Sequence, residues 1–352
     1  MKKLKNILIF FSMLVFVFVS ACKEDNNDLT PIPTYSSAGV YISGYDFVGS
    51  NIKACYWKDG VRTNLSTDAD AGAIAIAVSG SSVYVAGIYL DSNGRGKACF
   101  WKNGVIIDIS GGIRSETTAI AVSGGSVYVA GSYHDGSNMR ACYWKDGVRV
   151  NLPGGTDSSY AYGIAVLGNS VYVSGSYYES NSSGWKEYAC YWKDGIKVNL
   201  PVTGTGNYSE AWGITASGNS IYIAGYYNDG SRTKPCYWKD GVRIDLSGGS
   251  YTTASGIAIS GNSVYVGGFN SDCMQACYWK DGIRTELPLP SGMMGEGDQG
   301  TPIAVYGGSV YVIGVYEGYP SYTKMYSCYW KDGVRTDLPE DTFVTGIAVV
   351  TN

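Results

Sequence analysis

A hexapeptide of the form Cys-[Tyr/Phe]-Trp-Lys-[Asp/Asn]-Gly recurs seven times, starting at Cys55, Cys99, Cys142, Cys190, Cys236, Cys277 and Cys328. The intervals run from 41 to 51 residues. Three more segments keep step with it. A Val-Tyr-Val-Ala-Gly-like run begins at Val40, Val83, Val127, Val171, Ile221, Val264 and Val310. A Gly-Ile-Ala-Val-like run carries Ile76, Ile120, Ile164, Ile214, Ile257, Ile303 and Ile347. A Val-Arg-x-Asn/Asp-Leu-like run begins at Val61, Val105, Val148, Ile196, Val242, Ile283 and Val334. Four short segments repeated together at this period restrict the chain to a repeat architecture.

Each segment reads as a strand, rich in β-branched and aromatic residues and alternating in character. Asp59-Gly60 and its counterparts separate two such runs. That dipeptide marks a two-residue hairpin, because both turn residues need positive φ. Gly168-Asn169, Gly218-Asn219 and Gly261-Asn262 mark a second hairpin in the same unit. The chain has 48 Gly and 31 Tyr among 352 residues and is only 16% charged, which disfavours helices throughout. The predicted fold is all-β: a seven-bladed β-propeller with four antiparallel strands per blade. The Gly-Ile-Ala-Val strand has the smallest side chains and belongs innermost, as strand A. Strands B (Val-Tyr-Val-Ala-Gly), C (Cys-Tyr-Trp-Lys) and D (Val-Arg-x-Asn-Leu) follow outward. Ordered structure starts on a strand B near Val40 and ends on a strand A, Gly346 to Val349. The C-terminal strand is therefore expected to complete the blade of residues 40–65 and close the ring.

The order Ala-Cys-Tyr-Trp-Lys-Asp-Gly-Val-Arg-x-Asp-Leu, Gly-Ile-Ala-Val, Val-Tyr-Val-Ala-Gly resembles the repeats of bacterial lipoprotein propellers that carry Tyr-Trp-Lys-Asp-Gly. More distantly it is similar to extracellular HAF-type repeats, over about residues 40–350. It departs at the residues that name the latter, with Ala-Cys-Tyr where they have His-Ala-Phe. The resemblance implies a fold and an extracytoplasmic address, and no catalytic set.

Residues 1–21 combine Lys2, Lys3 and Lys5 with an apolar run from Ile7 to Val19, which reads as an export signal. Ser20-Ala21-Cys22 resembles a bacterial lipobox, so Cys22 is the expected lipidation site and membrane anchor. Residues 22–38 form the expected tether and 39–352 the propeller. Lys23-Glu24-Asp25 resembles a surface-export signal of Gram-negative lipoproteins. The expected location is the outer membrane, at the cell surface or otherwise facing the periplasm. Removal of residues 1–21 takes three lysines and leaves 23 basic against 30 acidic residues. That balance excludes a nucleic-acid surface. A monomer is expected, with no cofactor and no metal.

In the two-residue hairpin, Trp57 faces Arg62, and the same pairing repeats in other blades. A cation-over-ring stack is expected at these pairs, as part of blade packing. The seven strand-C cysteines are related by rotation about the ring axis, roughly 13–15 Å apart at the spacing of neighbouring strands. A disulfide needs Cα atoms within about 7 Å, so they read as small buried hydrophobes. Whether Cys273 pairs with Cys277 stays open. The lone His134 excludes His-based zinc clusters.

The A–B and C–D connections are short and uniform, whereas the B–C and D–A loops vary and share one face. Function on repeat scaffolds gathers on such a face. Its candidate ligand-binding residues are Tyr160, Tyr162, Tyr178, Trp185, Tyr188, Tyr208, Trp212, Tyr226, Tyr251, Tyr319 and Tyr322. Aromatic rings among Ser, Asn and Gly suit recognition of a glycan or protein. Candidate acids at the channel mouth are Asp70, Glu116, Glu210, Glu296, Asp298 and Asp341. The expected function is non-enzymatic binding of a glycan or protein partner. The alternatives are a polysaccharide-acting enzyme using those carboxylates and a structural scaffold in envelope assembly.

Overall fold

The computed structural model describes residues 38–49, 51–65, 70–181, 184–296, 300–318 and 325–351, without the side chains of Asn181 and Glu296. Residues 1–21, Cys22 and the tether to residue 37 lie outside the described residues, as do Tyr319, Tyr322, Asp298 and the Glu296 side chain. The described chain is all-β and forms seven antiparallel sheets. In blade one, strand A is Thr342–Thr351, B is Ala38–Val48, C is Asn51–Lys58 and D is Val61–Asn64. The C-terminal strand thus completes the first blade, from Ala38↔Thr351 to Asp46↔Thr342, and the ring is closed. Strands A of successive blades adjoin one another all the way round, so they line the axis. In blade seven strand A is split into Met293–Glu296 and Ile303–Tyr306, both paired with strand B, Ser309–Gly318. The outermost strands have four residues each, a short edge that offers little to another chain.

All seven C–D hairpins have both turn residues at positive φ, from Asp59 (50°) and Gly60 (81°) to Asp332 (52°) and Gly333 (81°). The Asp does a second job that the turn pattern alone does not reveal. Its Oδ1 accepts an N–H near the start of strand B, as in Ile221 N to Asp240 at 2.9 Å and Val171 N to Asp194 at 2.8 Å. Asn103 does the same for Val83 in blade two, at 2.9 Å. This explains why Asn alone replaces Asp in the repeat. Asp240→Ala should therefore cost about 1–2 kcal/mol, from a lost acceptor and a Cβ-bearing residue without a polar anchor at positive φ. Asp240→Asn should stay within about 0.5 kcal/mol of the parent. Urea unfolding of the two variants reads the difference.

Strand C carries the core. Its seven tryptophans are at most 1% exposed. Several indoles tie one blade to the loop before it: Trp192 Nε1 donates to Pro153 O at 2.7 Å, Trp238 to Pro201 O at 3.1 Å and Trp279 to Ser247 O at 2.8 Å. A serine at the start of strand A ties back to strand C of the preceding blade. Ala98 N donates to Ser115 Oγ at 3.0 Å, Ala141 N to Ser159 at 3.0 Å and Ala189 N to Ser209 at 2.9 Å. Strand A bulges beside the strand-B glycine in most blades, for example between Ala161 and Gly163.

The register places Trp57 opposite Arg62 and Trp144 opposite Arg149, as expected. The cations, however, mostly stack elsewhere. Arg149 lies over Tyr133 at 3.8 Å, Lys197 over Tyr177 at 3.5 Å and Arg243 over Tyr227 at 4.3 Å. Arg284 over Trp279, at 6.0 Å, is the one such tryptophan stack among the described residues. The indoles are sealed under neighbouring strands, so the long cationic side chains settle on the phenol rings beside them. In every blade the hexapeptide lysine also lies over the strand-B tyrosine, from 5.3 to 5.6 Å.

The strand-C cysteines are buried free thiols, and Cys273 is exposed and unbridged to Cys277. Burial pushes the Cys55 and Cys277 thiols up to about 12, which leaves them unreactive at neutral pH.

Candidate functional site

In blade four, strand A is Ser159–Leu167, B is Ser170–Asn181 and C is Gly184–Lys193; in blade five, A is Ser209–Ser217 and B is Ser220–Asn228. Registers Tyr160↔Ser176, Tyr178↔Glu187 and Ser180↔Trp185 put these six side chains on one face of blade four. Glu210↔Tyr226 pairs the corresponding residues of blade five. Ser174 Oγ donates to the Trp212 carbonyl and holds the two blades together beneath them.

Seven of the candidate aromatics join into one array across this seam. Trp185 and Tyr178 have ring centres 6.1 Å apart, Tyr178 and Tyr160 6.1 Å, and Tyr160 and Tyr162 6.3 Å. Tyr162 stacks on Trp212 at 4.7 Å, Trp212 on Tyr226 at 6.3 Å, and Tyr208 meets Tyr226 edge-on at 6.4 Å. Tyr162 and Trp212 are buried, whereas Trp185 is 51% exposed. At the exposed end an open cavity of about 230 Å³ is lined by Asp157, Ser158, Tyr160, Tyr178, Ser180 and Trp185.

Two other candidate aromatics lie elsewhere. Strand alternation turns Tyr188 to the opposite face, where it stacks on Tyr177 at 5.2 Å. Tyr251, 56% exposed, stands at the start of blade six.

The candidate acids separate into two kinds. Asp70 serves the backbone, accepting Ile52 N at 3.0 Å. Asp341 is an exposed turn residue with φ 59°. Glu116 and Glu210 lie within the innermost strands. Glu116 is buried with Arg114 at 3.2 Å, and burial raises its carboxyl despite that partner.

Glu210 instead meets an acid that the repeat analysis did not single out, Glu187. The Ser176 hydroxyl donates to Glu187 Oε1 at 2.7 Å, and Tyr178 hydrogen-bonds the same carboxyl. Burial pushes Glu187 up to about 7 against those two bonds. Burial and the charge of Glu187 push Glu210 up to about 8, against hydrogen bonds from Tyr226 and Trp212. The pair titrates as a unit around neutral pH. A signal for Glu187 was present in the sequence. The other blades have Ile52, Gly96, Met139, Thr233, Met274 and Met325 at its position, so it is the one acid in an uncharged column.

Carboxyls raised above their unfolded value of about 4.3 give the folded state extra protons in between. Their contribution to stability is complete below that value and is lost as pH rises through about 7 and 8. The unfolding midpoint should fall between pH 5 and pH 9. The double variant Glu187→Gln/Glu210→Gln should flatten that fall and gain stability at pH 9. Thermal unfolding across a pH series measures both.

No family model matches the chain, and no curated protein matches it. Among solved structures it is similar to apo AztD from Citrobacter koseri, at 13% identity and TM-score 0.42, covering 89% of this chain and 98% of that one. It is similar to the polysaccharide lyase Uly1 at 11% identity and TM-score 0.49, covering 93% and 98%. TolB from Acinetobacter baumannii is similar over 72% of this chain and 64% of its own, at 12% identity and TM-score 0.41. Likenesses of this degree carry no argument about what the chain does.

Proposed function

We propose that this chain is a non-enzymatic binding protein of the bacterial envelope, lipid-anchored at Cys22, which holds a glycan on the aromatic face of blades four and five. The observation that carries the reading is the aromatic array ending in an open cavity walled by Tyr160, Tyr178 and Trp185. Flat rings offer rigid apolar area to the C–H faces of a sugar at little entropic cost. Ser158, Ser180 and Asp157 add hydrogen-bonding groups at its rim. A cavity this small, below the roughly 300–1,000 Å³ of drug-sized pockets, fits one residue of a longer glycan better than a protein surface.

The test is a glycan array probed with residues 23–352, followed by titration of each hit. Trp185→Ala and Tyr178→Ala should each weaken binding about ten-fold or more, in line with the cost of losing an interface aromatic. A glycan held equally well by both variants sinks the reading. Protease shaving of intact cells tests surface display, and complete protection would place the protein in the periplasm.

One observation favours a second reading, a polysaccharide-acting enzyme. Glu187 and Glu210 are two buried, interacting carboxyls, both raised toward neutrality. General acid–base cleavage of a glycosidic bond uses a protonated carboxyl beside an ionised one. Turnover of a glycan, lost in both Glu187→Gln and Glu210→Gln, would establish this reading.

A further inference from the structure

The cavity of blade four has a wall chemistry that goes beyond a stacking platform. Tyr160 meets Tyr178 at 79° and Tyr178 meets Trp185 at 37°, so the three rings form a box and not a flat shelf. Each ring carries a negative π face, and a compact cation entering a cavity walled by three rings is attracted to such faces. Among the described residues the only charged side chain in the wall is Asp157. Its Oδ2 is buried without a hydrogen-bond partner among the described residues. Behind the wall Tyr178 hydrogen-bonds Glu187, which draws the phenol proton away from the ring and strengthens its negative face.

The cations around the cavity are already engaged. Arg140 pairs with Asp135 at 2.6 Å and donates to the Asp157 backbone carbonyl at 2.8 Å, and no ion pair to the Asp157 carboxylate occurs among the described residues. Arg114 pairs with Glu116 at 3.2 Å. Lys186 lies opposite Glu179 in the register, on the reverse face of the blade. Blade five contributes Glu210, behind Glu187.

We propose that this cavity binds the free ammonium group of an amino sugar, so that the glycan it selects carries hexosamine without N-acetylation. The inference rests on the glycan reading above and names the class of sugar. The ammonium sits between the rings against Asp157, and the rest of the pyranose lies along Tyr160 and Trp185. An N-acetyl group removes the charge and enlarges the substituent, so it loses both the cation–π contacts and the Asp157 pair. Because Glu187 and Glu210 keep protons near neutrality, arrival of a cation favours their ionised forms, and binding releases protons to the buffer.

Residues 23–352 are titrated at pH 7 with a glucosamine tetramer, its fully N-acetylated counterpart, a neutral glucose tetramer and tetramethylammonium. Trp185 fluorescence and calorimetry in two buffers of different ionisation enthalpy supply the readouts. The glucosamine tetramer should bind at least ten-fold tighter than either uncharged tetramer, with proton release. Asp157→Asn should lower that ratio several-fold, with the unfolding midpoint unchanged. Tyr178→Phe keeps the ring and should only weaken the preference, whereas Glu187→Gln/Glu210→Gln should abolish proton release. Equal binding of all three tetramers overturns this inference and leaves the glycan reading standing. Binding of tetramethylammonium with no tetramer held, or no binding at all, also overturns this inference; the glycan reading falls with it only if no glycan on the array is held.

Discussion

A chain ending at Glu340 should fail to close its ring and should lose its cooperative unfolding transition. The deletion removes strand A of blade one, Thr342–Thr351, and with it the buried Phe343, Val344, Ile347 and Val349. Phe343 stacks on Tyr45 with ring centres 5.1 Å apart, and Ser43 Oγ meets Thr345 Oγ1 at 3.1 Å. At about 1.5–3 kcal/mol per buried large apolar side chain, four such residues amount to roughly 6–12 kcal/mol. That rivals the whole stability of an ordinary domain, about 5–15 kcal/mol. The same cut bares the inner edge of strand B over Ala38–Val48, a template for pairing with a second chain. Size-exclusion chromatography should show oligomers, and denaturant titration a broad, shallow transition. A monomer with a sharp transition would mean that the other six blades hold the ring unaided.

Gly268→Ala should destabilise the protein by about 3 kcal/mol or more, at the upper end for overpacking. A Cβ at this strand-B glycine would fall on the carbonyl oxygen of Thr253 and 2.5 Å from the Trp279 ring. Neither neighbour can yield. The carbonyl belongs to the bulged stretch of strand A, and Trp279 is fully buried. Gly261→Ala is the comparison, at φ +55° in an A–B turn with nothing close by. It should cost only about 1–2 kcal/mol, for a Cβ in the left-handed region. Similar losses in the two variants would show that backbone conformation, not the indole–carbonyl squeeze, requires the repeated glycine. Gly44, Gly87, Gly131, Gly175, Gly225 and Gly314 occupy the same position, and the indole lies within about 3 Å of the added carbon at most of them.

The ring was legible because its determinants are local and repeat in register. An Asp-Gly pair dictates its hairpin wherever it stands, and the small side chains of strand A fit only near the axis. The glycine of strand B was read only as part of a motif, since the bulge that crowds it involves a strand about fifteen residues away. The cationic stacks went astray for a related reason. Strand pairing put Arg149 opposite Trp144 correctly, but burial of the indole sent the guanidinium to Tyr133.

The site divides along the same line. Tyr160, Tyr178, Trp212 and Tyr226 stood out by composition, yet their union required blades four and five to lie side by side. Tyr188 could have been set aside from alternation, since it stands one residue from Glu187 on the same strand. Asp70 and Asp341 were chosen for their place in a loop, and loops also need acceptors and turn formers. Glu187 is hidden from a loop-based reading, because it is a departure from the repeat pattern inside a strand.

The pairing of Ala38 with Thr351 fixes where the polypeptide enters the ring. Thr351 ends a strand A, and strands A end beside the tight A–B turns. Ala38 therefore lies on the side of the short A–B turns, whereas Trp185 stands on the side of the long loops, at the opposite face of the ring.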